Sequence, residues 1–129
     1  MIGGPTAKVG TKLPMRLKVN KVIRDGKVAV LVSPGFGAGW STWAYHGGED
    51  YRGHIDFMLF DPTLVTMVER GDSVEAIESY VTALYPHTYC GGADDLTVEW
   101  LPVGTAFRIH EYDGSETVEI RDDINWTIA

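Results

Sequence analysis

Hydrophobic and polar positions change period several times along this chain, and each change marks an element. Met15, Leu17 and Val19, followed by Val22 and Ile23, approach the alternation of a β-strand, and Lys27 to Val32 (KVAVLV) is a β-rich apolar run. Between them stands Asp25-Gly26. An Asp-Gly pair between apolar runs predicts a β-hairpin, because a type I′ turn needs positive φ at both central residues. The next residues, Ser33 to Trp40 (SPGFGAGW), place three glycines at alternate positions behind a proline, which predicts an irregular loop. Trp40, Trp43 and Tyr45 then bring three large aromatics into six residues, and His46 to Gly53 is a second glycine-rich polar stretch.

Helical spacing dominates the middle of the chain. His54 to Phe60 (HIDFMLF) fits either a short strand or the lead-in to a helix, and its period does not decide between them. Asp61-Pro62 gives an N-cap followed by proline at the first helical position, Leu64, Val65, Met67 and Val68 share one face, and Gly71 follows the end. The spacing predicts a helix over Pro62 to Arg70. A second helix is expected to start at Asp72 with Glu75 completing a capping box, to bury Val74, Ile77, Tyr80, Val81 and Leu84, and to end at Pro86.

Alternation returns in the last third. His87 to Asp95 reads as a loop, and Leu96 to Leu101, Thr105 to Tyr112 and Ser115 to Ile120 each read as strands, the last two joined by a second Asp-Gly turn at Asp113-Gly114. A three-stranded meander is the expected arrangement, with Ile124, Trp126 and Ile128 as a short edge strand. The fold class is α+β: an N-terminal β-hairpin and two short central helices packed on an antiparallel C-terminal sheet. At 129 residues the chain is expected to hold a flexible leader over residues 1–13 and a single domain over 14–129.

Charge changes this picture more than composition does. Forty-four per cent hydrophobic and 22% charged residues are ordinary for a globular domain. The formal charge of −7, however, is sorted: residues 1–27 carry seven basic groups against Asp25 alone, while residues 28–129 carry four against 17 acidic groups. An acidic body repels phosphate backbones and favours basic protein surfaces, so direct nucleic-acid binding is not expected. Asp94, Asp95, Glu116 and Glu119 are the candidate partner-binding residues. No apolar run approaches the roughly 18 residues that cross a bilayer, no secretory signal is evident, and the single Cys90 has no disulfide partner. A cytoplasmic protein without membrane contact is the expectation.

Candidate chemistry is sparse. Gly35, Phe36, Gly37 and Gly39 beside Trp40, Ser41, Trp43 and Tyr45 form the candidate ligand-binding segment, since glycines admit close approach and aromatic faces stack on a flat ring. The dinucleotide fingerprint is incomplete there, lacking its third glycine and the helix behind it. Cys90 with His87 or His110 and one of the acidic groups would make a nucleophilic triad, but no local signature supports it, and the four histidines lack metal-ligand spacing, so no metal, no cofactor and no catalytic residue are assigned. Arg16, Ser41-Thr42 and Glu111 or Glu116 follow one another in an order similar to that of small ADP-ribosyl transferases, which keeps a nucleotide-using enzyme as an alternative.

Arg24 to Trp43 (RDGKVAVLVSPGFGAGWSTW) and Trp100 to Glu116 (WLPVGTAFRIHEYDGSE) resemble segments of small uncharacterised proteins of tailed bacteriophages and prophages. The resemblance implies an accessory protein in the cytoplasm of an infected bacterium and carries no catalytic residues. The expected function is noncatalytic binding of a host protein or a host nucleotide signal, possible inhibition of host defence included. A small structural or assembly protein that self-associates through the edge of its C-terminal sheet is the other alternative.

Overall fold

The two Asp-Gly turns form as expected, with φ of 51° and 75° at Asp25 and Gly26 and 52° and 88° at Asp113 and Gly114. The computed structural model describes residues 20–45, 50–121, 127 and 129. The expected leader over residues 1–13, the alternating Met15, Leu17 and Val19, and the alternating Ile124, Trp126 and Ile128 lie outside the described residues.

The class is α+β. The first turn joins β1 (Ile23–Arg24) to β2 (Lys27–Val32), and the second joins β4 (Phe107–Tyr112) to β5 (Ser115–Ile120). Between them runs β3 (Thr97–Pro102). The expected meander does not form. β3 pairs antiparallel with β2, Lys27 opposite Pro102 and Val32 opposite Thr97, in a sheet of order β1-β2-β3, while β4 and β5 make a separate ribbon. β2 explains the choice: Val28, Val30 and Val32 on one face and Ala29 and Leu31 on the other are all buried, so the strand needs a partner on each edge and a layer on each face. Past β3, Gly104 at φ 88° turns the chain out of that sheet before β4 begins.

Among the described residues four helices fill the middle: α1 (Ser41–Ala44), α2 (Tyr51–Phe60), α3 (Pro62–Arg70) and α4 (Val74–Leu84). α1 lies where the aromatic segment suggested no regular structure, and α2 resolves the ambiguity of His54 to Phe60 in favour of a helix capped by Asp50, which accepts from Gly53 N at 3.0 Å. α3 has its expected signals, Asp61 accepting from Leu64 N at 3.1 Å and Gly71 left-handed at φ 77°. α4 is capped by Ser73, not Asp72. Ser73 Oγ accepts from Ala76 N, while the Asp72 carboxylate is drawn back to the Arg70 guanidinium at 2.9 and 2.6 Å, which leaves the capping role to its neighbour. Leu84, expected on the buried face, is exposed, because the chain leaves the core at the end of the helix one turn after the buried Val81.

The core has two parts divided by β2. Trp40, Phe57, Met58, Leu64, Val65, Ile77 and Val81 pack on the Ala29 and Leu31 face. Leu59 and Phe60 of α2, with Phe107, Ile109, Val118 and Ile120 of the ribbon, pack on the Val28, Val30 and Val32 face. Each fully buried side chain of this size stabilises by about 1.5–3 kcal/mol. Helix α2 thus belongs to both layers, and the ribbon is held against the sheet opposite α3 and α4.

Candidate functional site

One carboxylate ties a strand to the loop and short helix of residues 33–42, distant in sequence. Glu116 of β5 is 1% exposed, and its oxygens accept from Ser33 N at 3.0 Å, Trp40 N at 2.7 Å, Thr42 N at 3.1 Å and Thr42 Oγ1 at 2.6 Å. The backbone adds Glu116 N donating to Ser33 O at 2.9 Å. A charged acceptor with four donors is a satisfied buried ion, and it sets the path of residues 33–42 onto the ribbon. Glu116 is therefore a structural tie. Its expected place on an acidic docking surface is corrected by its burial, which the four inward-pointing donors stabilise.

That tie presents one end of the molecule to solvent. Gly37 N donates to Asp113 O at 2.8 Å, and Ser115 Oγ donates to Pro34 O at 2.7 Å, so the glycine loop lies on the tip of the β4–β5 ribbon. Gly114 is required twice over: its φ is left-handed, and a Cβ there would collide with the backbone of Ala38. Beside this junction Phe36 is 72% exposed and Tyr112 is 70% exposed, each adjacent in sequence to a residue of the Gly37–Asp113 hydrogen bond. Asp94 and Asp95 belong to the same end. They close a 3-10 turn (Gly91–Asp95) and, with Pro34, Gly35 and Leu96, line a shallow open cleft in which the Asp95 carboxylate packs against Gly35. Gly92 in that turn crosses the backbone of Gly39, where a side chain would not fit.

A deeper groove of about 580 Å³ lies between α1, α2 and β4. Ile55, Leu59, Phe60, Phe107 and Ile109 give it apolar walls, and Thr42, Tyr45, Tyr51, Arg52, Asp56 and Arg108 give it polar ones. Tyr45 meets Tyr51 edge-on at 4.5 Å between ring centres. Arg108 Nε donates to Glu119 at 2.7 Å, and Arg52 approaches Asp56 only to 3.9 Å.

The structure divides the candidate ligand segment. Gly35, Phe36 and Gly37 go to the acidic end. Gly39 and Ser41 are buried under the Glu116 tie, and Tyr45 turns into the groove. Trp40, expected to stack on a ligand, is wholly buried with Nε1 donating to Met58 O at 2.7 Å, because the indole fills the core between β2 and α2. Trp43 is half-buried, its ring 5.9 Å from that of Tyr89. Glu119 is half-buried beside Arg108, away from Asp94 and Asp95 in its bonding. Of the residues ordered like those of an ADP-ribosyl transferase, Thr42 and Glu116 meet, Glu111 accepts from Gly114 N at 2.8 Å, and Arg16 lies outside the described residues.

Cys90 is poorly suited to nucleophilic chemistry. Its side chain is buried, its thiol faces the Thr88 carbonyl at 3.8 Å, and burial, with a smaller contribution from the charge of Glu78, pushes its pKa up to about 11. His54 is buried against Thr88 and stacked 4.4 Å from Tyr85; the Thr88 hydroxyl donates to Tyr85 O, so Nε2–H of His54 donates to Thr88 Oγ1. Among the described residues no group of three or more His, Cys, Asp or Glu is placed to hold a metal ion, and no helix is long and apolar enough to cross a membrane.

Sequence reasoning missed Tyr112 and the groove. Tyr112 was legible, since period 2 puts it with Arg108 and His110 on the outward face of β4, opposite Phe107 and Ile109. The groove was not legible, because α2 had no settled period and the pairing of its walls depends on the ribbon leaving the sheet. Comparison of the chain with protein-family models, with curated proteins and with solved structures gives no match in any of the three.

Proposed function

We propose that this protein is a noncatalytic binding protein that docks a basic protein surface on the end formed by residues 33–39, Asp94, Asp95 and the Tyr112 to Gly114 turn. The observation that carries the reading is the pair of exposed aromatics, Phe36 and Tyr112, on backbone fixed by the Gly37–Asp113 hydrogen bond and flanked by carboxylates. Large aromatics dominate interface energetics when they are presented by rigid backbone, and a carboxylate surround selects a partner bearing Lys or Arg. The acidic body adds long-range attraction for the same partner.

The two stretches that resemble small phage and prophage proteins, residues 24–43 and 100–116, are the ones that supply Phe36 and Tyr112. That coincidence supports an accessory role in the bacterial cytoplasm, with a host protein as the partner. The buried thiol of Cys90 and the full hydrogen-bonding of Glu116 support binding over turnover.

The test is capture from bacterial lysate with the wild-type protein and a Phe36→Ser, Tyr112→Ser double variant. One protein retained near stoichiometric yield, eluting as salt rises and lost in the variant, is the expected outcome. Equal capture by both proteins, with both folded, would remove this end as the docking surface.

A further inference from the structure

We propose that the outer edge of β4 accepts one more strand, and that this strand is residues 15–19 of the same chain, laid antiparallel to β4 over the groove beside α2. The ribbon supplies the acceptor. Tyr112 pairs with Ser115 across a two-residue turn, and Ala106 O at the far end accepts from Arg121 N at 2.9 Å, so the positions of β4 bonded to β5 are the even-numbered ones. The N–H and C=O groups of Phe107, Ile109 and Glu111 therefore point off the other edge, where among the described residues no strand pairs with them. An open row of this kind is a template for a further strand. The side chains of Phe107 and Ile109 line the groove with Ile55, Leu59 and Phe60, so a strand with apolar residues on one side buries them there.

The path of the described chain leads to this edge. Lys21 Nζ lies 4.6 Å from the centre of the Phe60 ring, and that ring meets Phe107, the first residue of β4, edge-on at 6.2 Å. From Lys21 the chain runs into β1, opposite in direction to β2. β4 runs with β2, from the end where Val103 N donates to Gly26 O to the end where Glu116 N donates to Ser33 O. Extended upstream from Lys21, the chain therefore starts beside Phe107 and is antiparallel to β4. Period 2 then sets the side chains. Lys21 points to Phe60, so Val19, Leu17 and Met15 share its side, toward the groove, while Lys18 and Arg16 face away. Five extended residues span about 17 Å, which matches the run from Phe107 to Glu111. Pro14 lacks an N–H and suits the position where such a strand begins.

Charge and attachment favour this occupant over an outside one. Residues 1–19 carry Lys8, Lys12, Arg16 and Lys18 and no acidic group, whereas residues 28–129 carry 17 acidic groups against four basic ones. A covalently attached segment also acts at high effective concentration, and a second copy would bring an acidic body against an acidic body.

This edge shares no residue with the acidic docking end, so either reading can fail alone. The test is amide exchange in the full chain, followed by NMR at two protein concentrations. The N–H groups of Phe107, Ile109 and Glu111 should exchange at least about tenfold more slowly than in a free peptide at both concentrations, with methyl contacts joining Leu17 to Ile55 or Ile109. Leu17→Asp puts a carboxylate against the apolar walls and should return the three amides to within about twofold of the free rate, while Arg108 and His110, bonded within the ribbon, stay protected. Free exchange of the three amides in the wild-type chain would overturn the proposal whether or not the variant folds. Protection that survives Leu17→Asp would mean that another group covers the edge, and protection lost on dilution would assign it to a second copy; each would overturn residues 15–19 of the same chain as the occupant.

Discussion

The turns at Asp25-Gly26 and Asp113-Gly114 have the same two residues and nearly the same backbone angles, yet they serve the molecule differently. Around Gly26 a Cβ would meet no atom within 4 Å, and its carbonyl accepts from Val103 N at 2.9 Å. Around Gly114 a Cβ would strike Ala38, the Gly37 amide is bonded to Asp113, and Glu116 two residues on holds Ser33, Trp40 and Thr42. One turn only reverses the chain. The other reverses it and anchors a loop that carries an exposed aromatic. Identical local chemistry therefore says where a hairpin bends, while tertiary contacts decide which hairpin becomes part of a surface.

The largest test of this difference is Glu116→Ala. It leaves three backbone N–H groups of residues 33–42 without their acceptor, and unsatisfied buried donors cost about 1–3 kcal/mol each. A loss of roughly 3–5 kcal/mol is expected by urea denaturation. Glu116→Gln keeps one acceptor oxygen and should lose less. If Glu116→Ala unfolds at the wild-type midpoint, the tie does not hold the loop.

Next come the glycines themselves. Gly114→Ala combines left-handed strain with a backbone collision and should cost about 2–4 kcal/mol. Gly26→Ala has strain without collision and should cost about 1 kcal/mol. Equal costs would mean that the two turns differ less than their surroundings indicate.

How much of this was written in the sequence follows the same division. Both turns, the helix Pro62–Arg70 and the runs that became β2, β3, β4 and β5 were legible, because each rests on local signals: turn residues, a cap with proline behind it, or alternation. The partner of β3 was not, since three strands in sequence suit a meander until the two buried faces of β2 demand another edge. Asp72 and Glu75 form a legitimate capping pattern that a neighbouring arginine overrides. At the candidate site, Asp94 and Asp95 stayed on the surface as their charge implied, but Glu116, equally acidic, went inside. Its burial depends on four donors drawn from residues about 75 to 83 positions away, and no local window contains them.

Cys90 offers the mildest probe of the comparison, because it directly precedes the turn that packs beneath Gly39 at the anchored end. With its pKa raised from 9.0 to about 11, native thiolate at pH 8 is about a hundredfold scarcer than in the unfolded chain, so reaction with a disulfide reagent should be slower by at least that factor. The sign for stability follows: above pH 9 the unfolded chain releases this proton while the folded one keeps it, so stability should fall between pH 9 and 11. Cys90→Ala should flatten the profile between pH 9 and 10, whereas above pH 10 the tyrosines Tyr80 and Tyr85, whose pKa values burial raises from 10, add their own fall in stability. Gly114→Ala should speed the thiol reaction several-fold at pH 8 by loosening the loop above it, and Gly26→Ala should leave it within about twofold, since local opening is confined to the unit disturbed. Equal acceleration in both variants would show that the thiol reports global unfolding, and that the anchored end does not open on its own.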